Sequence, residues 1–420
     1  MVTERAEIVV IGAGAAGLMA SIEAGRACCP PIVLDGARVL GAKILVSGGG
    51  RCNVTHDAVS ERDYFGSTPA AIRRVLSAFD APRTIAFFAE IGVELKREAT
   101  GKLFPVTDSA RTVLDALLRA GSAAGVELRH PRRVRTVERV EHGAAGYLVR
   151  GEWGELHASR VILAMGGQSL PRSGSDGAGV ALARALGHSV TPRLLPALVG
   201  LTLADGCFVR SLSGLAVETR IEVRAAGGRR LHARTGSTLC THFGLSGPAP
   251  MDISRCWQDA VLDDPGAQLV VCWLPDETRE AFDDALQQLG TSTPQRLLAE
   301  RLPARLARAL CELAGIDPAT PGYELRREQR RALVRAVFDA PLPVTGTRGW
   351  ANAEATAGGV PLSEVRLDTM ESRIAPGLYL CGELLDVDGY IGGYNFQWAW
   401  SSGHLAGRGA ARSWTDLRAT

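Results

Sequence analysis

Glu7-Ile8-Val9-Val10-Ile11-Gly12-Ala13-Gly14-Ala15-Ala16-Gly17 is the stretch whose reading decides the fold. Its short apolar run ending in glycine reads as a buried strand, and helical periodicity takes over from Ala16 to Gly25. A second strand signal at Pro31 to Asp35 completes a strand-helix-strand unit. The glycine spacing between strand and helix is that of a dinucleotide-binding turn. Gly12 and Gly14 permit a tight turn and close backbone approach to a pyrophosphate, while Gly17 permits close packing of the helix. Ala15 and Ala16 open that helix, whose free N–H groups and positive partial charge suit an anion. Asp35 ends the second strand about 20 residues on, where the pattern calls for an acid that accepts hydrogen bonds from a ribose. A structural glycine turn with a chance acid explains the turn but not its register with strand, helix and carboxylate.

Two later constellations fit the same ligand. Val161-Ile162-Leu163-Ala164-Met165-Gly166-Gly167 is a buried strand running into a glycine pair. Ala164, Gly166 and Gly167 are expected to pass close to a nucleotide held by the first loop, although alone they would be an ordinary strand end. Gly377-Leu378-Tyr379-Leu380-Cys381-Gly382-Glu383 is a strand with an acid at its tip, followed by Asp386 and by Gly392-Gly393-Tyr394-Asn395-Phe396. Gly382, Glu383 and Asp386 suit ribitol hydroxyls. Gly393, Tyr394, Asn395 and Phe396 open a helix whose N-terminus suits negative charge developing on an isoalloxazine. A capped C-terminal helix packed on the sheet is the plainer reading, and it accounts for Asn395 alone. With a single GxGxxG and no redox cysteine pair, a pyridine-nucleotide disulfide reductase is not expected. FAD is the expected cofactor, with NADH or NADPH as a transient donor or the substrate itself as reductant.

The chain has 420 residues, enough for two or three domains, with 46% hydrophobic and 22% charged residues, the composition of a globular protein. A formal net charge of +2 exerts no global pull on nucleic acid or acidic lipid, so the expected partner is a small-molecule substrate, with neither membrane nor nucleic acid. Nine scattered cysteines, an odd number without CxxC or metal-ligand spacing, read as a reducing cytoplasm and no metal site. No leader pattern precedes Glu7, and no apolar run is long enough to cross a bilayer.

Helical periodicity is expected through Ala70 to Ile91 and again from Asp108, taken as an N-cap, to Gly121. Short strands are expected at Val126 to Arg129, Val134 to Val137, Tyr147 to Arg150 and Val161 to Ala164, with Val134 counted among the nucleotide contacts. From Pro192 the pattern turns mainly β, with strands at Leu198 to Leu203, Val217 to Val223 and Gln268 to Trp273. Between Glu277 and Ala340 it is helical and rich in arginine and leucine, read as amphipathic helices with a solvated face rather than an RNA surface. The expected fold is therefore α/β, a Rossmann-like FAD-binding domain of the two-dinucleotide-binding-domain type over 1–191 and 345–420. It is interrupted by a β-rich domain over 192–275 and a small helical domain over 276–344.

Gly41-Ala42-Lys43-Ile44-Leu45-Val46-Ser47-Gly48-Gly49-Gly50-Arg51-Cys52-Asn53-Val54-Thr55 and the closing Gly382 to Gly403 stretch resemble one flavoprotein family. It is the NAD(P)/FAD-dependent oxidoreductase family that includes aminoacetone oxidase-like proteins and a flavoprotein proposed to act in bile-acid dehydroxylation. Matching pieces also include Gly166-Gly167-Gln168-Ser169, Thr241 to Pro248, Thr356-Ala357-Gly358-Gly359-Val360 and Thr369 to Ser372. The resemblance implies a discontinuous FAD domain and places the loop of Ser47, Gly48, Gly49, Gly50, Arg51 and Asn53 along the flavin or pyrophosphate. Three consecutive glycines expose N–H groups to an anion, and Arg51 or Lys43 can neutralise phosphate. The chain departs from the family in carrying Asp35 where glutamate is usual.

The redox step belongs to the flavin, so the protein must position a substrate and supply a proton donor or acceptor. Cys52, His242 and Tyr394 are the candidates. An inert packed cysteine, a structural histidine bonded to backbone and a packing tyrosine are the respective competing readings. The expected activity is reduction of an activated double bond or oxidation of a small amine or alcohol, with NAD(P)H or oxygen closing the cycle. A flavoprotein acting on RNA, or an FAD-bearing interaction protein without turnover, are the alternatives.

Overall fold

The computed structural model describes residues 4–140 and 146–418, with side chains of the last helix described through Arg412. The chain divides into two compact units, Met1–Pro196 with Glu354–Thr420, and Ala197–Ala353.

The first unit is built on a central sheet. Strand β1 (Glu4–Ile11) leads through the glycine turn into helix α1 (Ala15–Arg26), and β2 (Ile32–Leu34) follows. Ile8 to Ile11 are buried, as an inner strand covered on both faces requires. Helix α2 (Ala42–Gly50) comes next, then α3 (Pro69–Ala78), α4 (Ala81–Glu90) and α5 (Ala110–Ala123). The expected helix over Ala70 to Ile91 is two helices, because Asp80 caps a fresh start, its side chain accepting the Arg83 N–H at 3.0 Å. Asp108 is not the N-cap of α5. It has φ 51 and its carboxylate pairs with Lys96, leaving Ser109 in the cap position.

Strands β3 (Glu127–Arg129), β4 (Thr136–Val140), β5 (Gly146–Gly151) and β6 (Gly154–Leu163) complete the N-terminal part of the sheet. Its order is β3-β2-β1-β6-β5-β4. Pairings within β3-β2-β1-β6 are parallel, and β6-β5-β4 is an antiparallel meander.

The second unit carries a seven-stranded sheet. Its elements are β7 (Leu201–Leu203), β8 (Ala216–Arg224), β9 (Arg230–Thr241), β10 (Gly244–Ser246), α6 (Pro248–Asp263) and β11 (Gln268–Cys272). Helices α7 (Arg279–Gln287), α8 (Pro294–Ala299), α9 (Ala304–Leu313) and α10 (Arg327–Phe338) follow, then β12 (Ala340–Leu342) and β13 (Val344–Thr347). The strand order is β12-β11-β8-β9-β10-β7-β13, all antiparallel. The helices over 276–344 thus do not stand apart from the β-rich segment. The chain leaves the sheet after β11 and re-enters it at β12, where Trp273 N–H donates to Val337 O at 2.8 Å and Asp339 accepts from Arg224 and Arg279 at 2.9 and 2.6 Å. Residues 345–347 remain in this sheet, opposite β7, so the return to the first unit comes at Glu354.

Back in the first unit, β14 (Leu378–Leu380) runs parallel to the C-terminal part of β6, beyond the stretch that β5 occupies. Helix α11 (Tyr394–Arg418) closes the fold. Its fully buried Gln397 donates to Phe79 O at 2.7 Å and accepts from Thr55 and Thr84 hydroxyls at 2.6 and 3.0 Å.

Candidate functional site

Hydrogen bonding just past the strand ends brings the three glycine constellations together. Gly12 N–H donates to Leu34 O at 2.8 Å, Ala164 N–H to Ile11 O at 2.9 Å and Cys381 N–H to Leu163 O at 3.1 Å. The turns after β1, β6 and β14 therefore lie side by side at the carboxyl ends of parallel strands, the edge at which open α/β sheets bind ligands.

The first turn has the crowding and the opening that a dinucleotide needs. A Cβ at Gly12, where φ is 103, would lie 2.5 Å from Ala164 O, and one at Gly17 would lie 1.9 Å from Gly12 O. At Gly14 a Cβ would meet nothing within 4 Å, so the space beside the N-terminus of α1 is open. Gly14 caps that helix without a side-chain bond, leaving the N–H groups of its first turn for an anion. Asp35 is buried at the tip of β2, its carboxylate accepting from Ala13 N–H at 2.7 Å and Ala37 N–H at 2.8 Å. Two backbone donors fix the carboxylate and leave lone pairs for ribose hydroxyls. Val134 is buried in the segment just beyond Arg133, whose Cα would lie 2.7 Å from a Cβ at Gly36.

The loop after Lys43 begins as a helical turn, which the sequence reading did not anticipate, and then leaves helical geometry at Ser47, Gly48 and Gly49. Gly48 and Gly49 have φ of 55 and 69, which explains the glycines, and Gly48 to Gly50 are exposed. Asn53, 8% exposed, keeps its Oδ1 buried without a hydrogen-bond partner. A polar atom left in that state suits a ligand donor. The residues present therefore fit a bound FAD, with the open turn at Gly14, the ribose-directed Asp35 and the unsatisfied Asn53 as the supporting geometry.

Two expected phosphate partners are otherwise engaged. Arg51 bonds Glu98 at 2.7 Å, lies 3.6 Å from Asp108 and stands over the Phe104 ring at 4.0 Å. Lys43 is ion-paired with Glu383 and donates to Ser169 Oγ at 2.6 Å. The backbone N–H groups at the start of α1 carry no side-chain cap.

Lys43 and Glu383 are the charged centre of a network that the sequence reading only half found. Ser169 Oγ donates to Glu383 Oε1 at 2.6 Å and Thr356 Oγ1 donates to the same oxygen at 2.7 Å. Thr356 Oγ1 in turn accepts the N–H groups of Gln168 and Ser169 at 2.8 and 3.1 Å. Gly167 is needed beside them, since a Cβ there would lie 2.4 Å from Thr356 Oγ1. Ser169 and Thr356 stood inside the strings that carry the family resemblance, but nothing in their spacing marks them as partners of a lysine 126 residues and a glutamate 27 residues away, respectively.

At the start of α11, Asn395 brackets the backbone of Gly389, accepting its N–H at 2.9 Å and donating to its carbonyl at 3.0 Å, so its side chain is a structural clamp. The Phe396 ring stacks on Trp400 with centroids 5.6 Å apart. Asp386 is tied by its backbone, its N–H to Val360 O at 2.8 Å and its carbonyl to Ser67 N–H at 2.9 Å. The Tyr394 ring is buried, stacked on His56 at 5.0 Å, and its carbonyl accepts the Tyr64 hydroxyl at 2.8 Å. That geometry favours packing over substrate contact.

Cys52 is 0% exposed, with φ 61, and burial pushes its thiol up to about 12. Burial speaks against the expected adduct-forming role, because a thiol so buried holds almost no thiolate at neutral pH, and it fits the competing reading of a packed cysteine. His242 lies in the second unit, exposed in the turn between β9 and β10, edge-on to Phe243 at 5.3 Å, with its carbonyl accepting Arg210 Nε at 2.8 Å.

The family model described as HI0933-like protein Rossmann domain matches residues 6–409. The chain belongs to this family. It is 39% identical over 96% of its length, and 98% of the relative, to 3-dehydro-bile acid delta(4,6)-reductase of Clostridium scindens. It is 34% identical over 95% of its length, and 96% of the relative, to the ribosomal RNA dihydrouridine synthase of Escherichia coli. Among solved structures, 3-ketosteroid delta1-dehydrogenase from Sterolibacterium denitrificans shares the fold with a TM-score of 0.53 at 14% identity, over 98% of this chain and 100% of that one. This HI0933-like protein is an FAD-dependent oxidoreductase with a Rossmann-like FAD-binding domain. Among the described residues, no helix is long and apolar enough to cross a membrane.

Proposed function

We propose that this protein reduces a carbon-carbon double bond conjugated to a carbonyl group, with NADH or NADPH as the source of electrons. The observation that carries the reading is the match along nearly the whole chain to the delta(4,6)-reductase. The activities for which the two relatives are named reduce to one half-reaction, addition of hydrogen across a double bond in conjugation with a carbonyl. This favours reduction over oxidation of an amine or alcohol.

FAD, when bound, would supply the hydride chemistry at the conjugated bond. The chain must hold the carbonyl, draw charge onto its oxygen and see a proton delivered to the α carbon. Lys43 suits that work. Its ammonium spends one N–H on Ser169 and one on Glu383, which leaves a third to donate. Glu383 accepts from Lys43, Ser169 and Thr356, so its carboxylate is largely occupied in fixing the lysine. The side chains of Lys43 and Glu383 are 26% and 17% exposed, a setting in which a donated hydrogen bond counts for more than it does in water.

The test is turnover in heavy water with NADPH and a conjugated steroid dienone as probe. The expected product is saturated at the conjugated bond, with deuterium taken up from solvent at the α carbon. Oxygen-dependent oxidation of amines or alcohols, with the dienone untouched, overturns the reading. A second substrate, a uracil ring carried in RNA, has the same conjugation. It is favoured by the second relative and by a row of arginines in the second unit.

A further inference from the structure

Several arginines of the helical segment are held in ion pairs. Arg279 pairs with Asp339 at 2.6 Å, Arg301 with Glu277 at 2.5 Å, Arg308 with Glu312 at 2.8 Å and Arg330 with Asp283 at 2.7 Å. Arg327, Arg331 and Arg335 of α10 are exposed and have no ion-pair partner among the described residues. They recur every four residues and so lie along one face, away from the buried Leu333, Ala336 and Val337. Arg326, also exposed, precedes the helix, and Tyr323, 70% exposed, stands just before it.

A merely solvated helix face tends to alternate its charges, because like charges four apart destabilise a helix. Here two such pairs, Arg327 with Arg331 and Arg331 with Arg335, follow one another with Glu328 as the one acid of the helix beside them, so the face keeps a net positive charge that a polyanion would relieve. The helical rise sets successive guanidinium groups about 6 Å apart along the axis. That is close to the spacing of phosphates along an extended nucleic-acid strand. The apolar face of α10 is spent inside its own unit, so the helix has none to insert into a membrane. An exposed tyrosine at the end of the row is the group on which an unpaired base stacks.

We propose that Arg327, Arg331 and Arg335, with Tyr323 at their N-terminal end, form a docking surface for single-stranded RNA. The inference rests on the second substrate reading above, and binding and flavin chemistry are measured separately.

The probe is fluorescein-labelled oligouridine, titrated by anisotropy against the FAD-loaded full chain over a series of salt concentrations. Glutamine matches arginine closely in helix propensity, so the triple variant Arg327→Gln/Arg331→Gln/Arg335→Gln should keep its fold and FAD content. Its affinity should drop at least tenfold at low salt, and the slope of log affinity against log salt should fall by about 2, at roughly 0.7 for each phosphate that the variant no longer neutralises. Tyr323→Ala should weaken binding with the slope unchanged, and Arg308→Gln, at an already paired arginine, should change neither. Arg331→Glu alone should weaken binding severalfold, which keeps the test open if the triple variant is unstable. Wild-type protein that does not bind the probe, a triple variant with unchanged slope, or equal binding of polyglutamate would overturn the surface. Dienone turnover in the same preparations reports on the flavin reading, whatever the binding shows.

Discussion

The ammonium of Lys43 and the carboxylate of Glu383 meet across 340 residues of sequence, joining α2 to the turn after β14. Both are mostly shielded from water, and removing one partner strands the other. Lys43→Met should cost about 1–3 kcal/mol of stability by leaving the carboxylate under-satisfied. Adding Glu383→Gln should recover part of that loss. Urea denaturation of the two single variants and the double gives the coupling directly, and additive losses would show that the pair is not an energetic unit.

Gly14 and Gly17 separate ligand space from packing space. At Gly14 a Cβ meets nothing, whereas at Gly17 it would overlap Gly12 O at 1.9 Å. Gly14→Val should give a folded protein, with thermal midpoint close to that of the ligand-free wild type, that does not take up FAD. Gly17→Ala should instead fail in folding itself. A Gly14→Val protein that retains one FAD per chain would place the pyrophosphate elsewhere.

The thiol of Cys52 is closed off, while Cys28 is exposed. Mild alkylation of the native protein at slightly alkaline pH should label Cys28 and spare Cys52, read by peptide mass spectrometry. Cys52→Ala should keep both FAD and turnover. Loss of turnover with FAD still bound would restore the cysteine to the chemistry.

His188 ties two segments of the first unit together. Its Nδ1 lies 2.7 Å from Glu364 Oε2 and its Nε2 lies 2.9 Å from Ser372 Oγ. Ser372 is buried and its hydroxyl already accepts the N–H groups of Ile374 and Ala375 at 3.0 and 2.8 Å, so this is packing and not a hydrolytic triad. Burial opposes the charge on Glu364, but hydrogen bonds from Ser189 and His188 outweigh it and hold the carboxyl below its ordinary value. A depressed carboxyl stabilises the fold fully above its ordinary value, and that stabilisation disappears as pH falls through the lowered one. Glu364→Gln should therefore lower the denaturation midpoint at neutral pH, with the gap from wild type closing in acid. A gap that is constant with pH would remove the charge from the explanation.

Much of the first unit was legible because its signals are local. Gly12, Gly17 and Asp35 sit at fixed offsets from one strand, and the steric demands that require them are met within one strand-helix-strand unit. The β9 strand was missed because Arg230 to Thr241 alternates polar with small residues and includes Gly236, a pattern that pairing with β8 rather than side-chain hydropathy makes into a strand. The Ala70 to Ile91 break was missed because apolar periodicity continues across Asp80. In the site, Glu383 was legible at its strand tip, but its three donors come from distant segments that only the sheet brings together. Arg51 illustrates the opposite failure. A cation in a glycine loop suggests phosphate, yet Glu98 and Asp108 claim it through tertiary contacts that no spacing reveals.

Reduction of a conjugated bond through the bound flavin is tested most directly by the visible spectrum of the FAD-loaded protein, reduced with NADPH in the absence of air and then mixed with the conjugated dienone. The expected result is bleaching of the flavin by the nucleotide and anaerobic recovery of its full absorption, in proportion to dienone consumed. A reduced flavin that stays bleached with the dienone and recovers only when air is admitted would contradict that function.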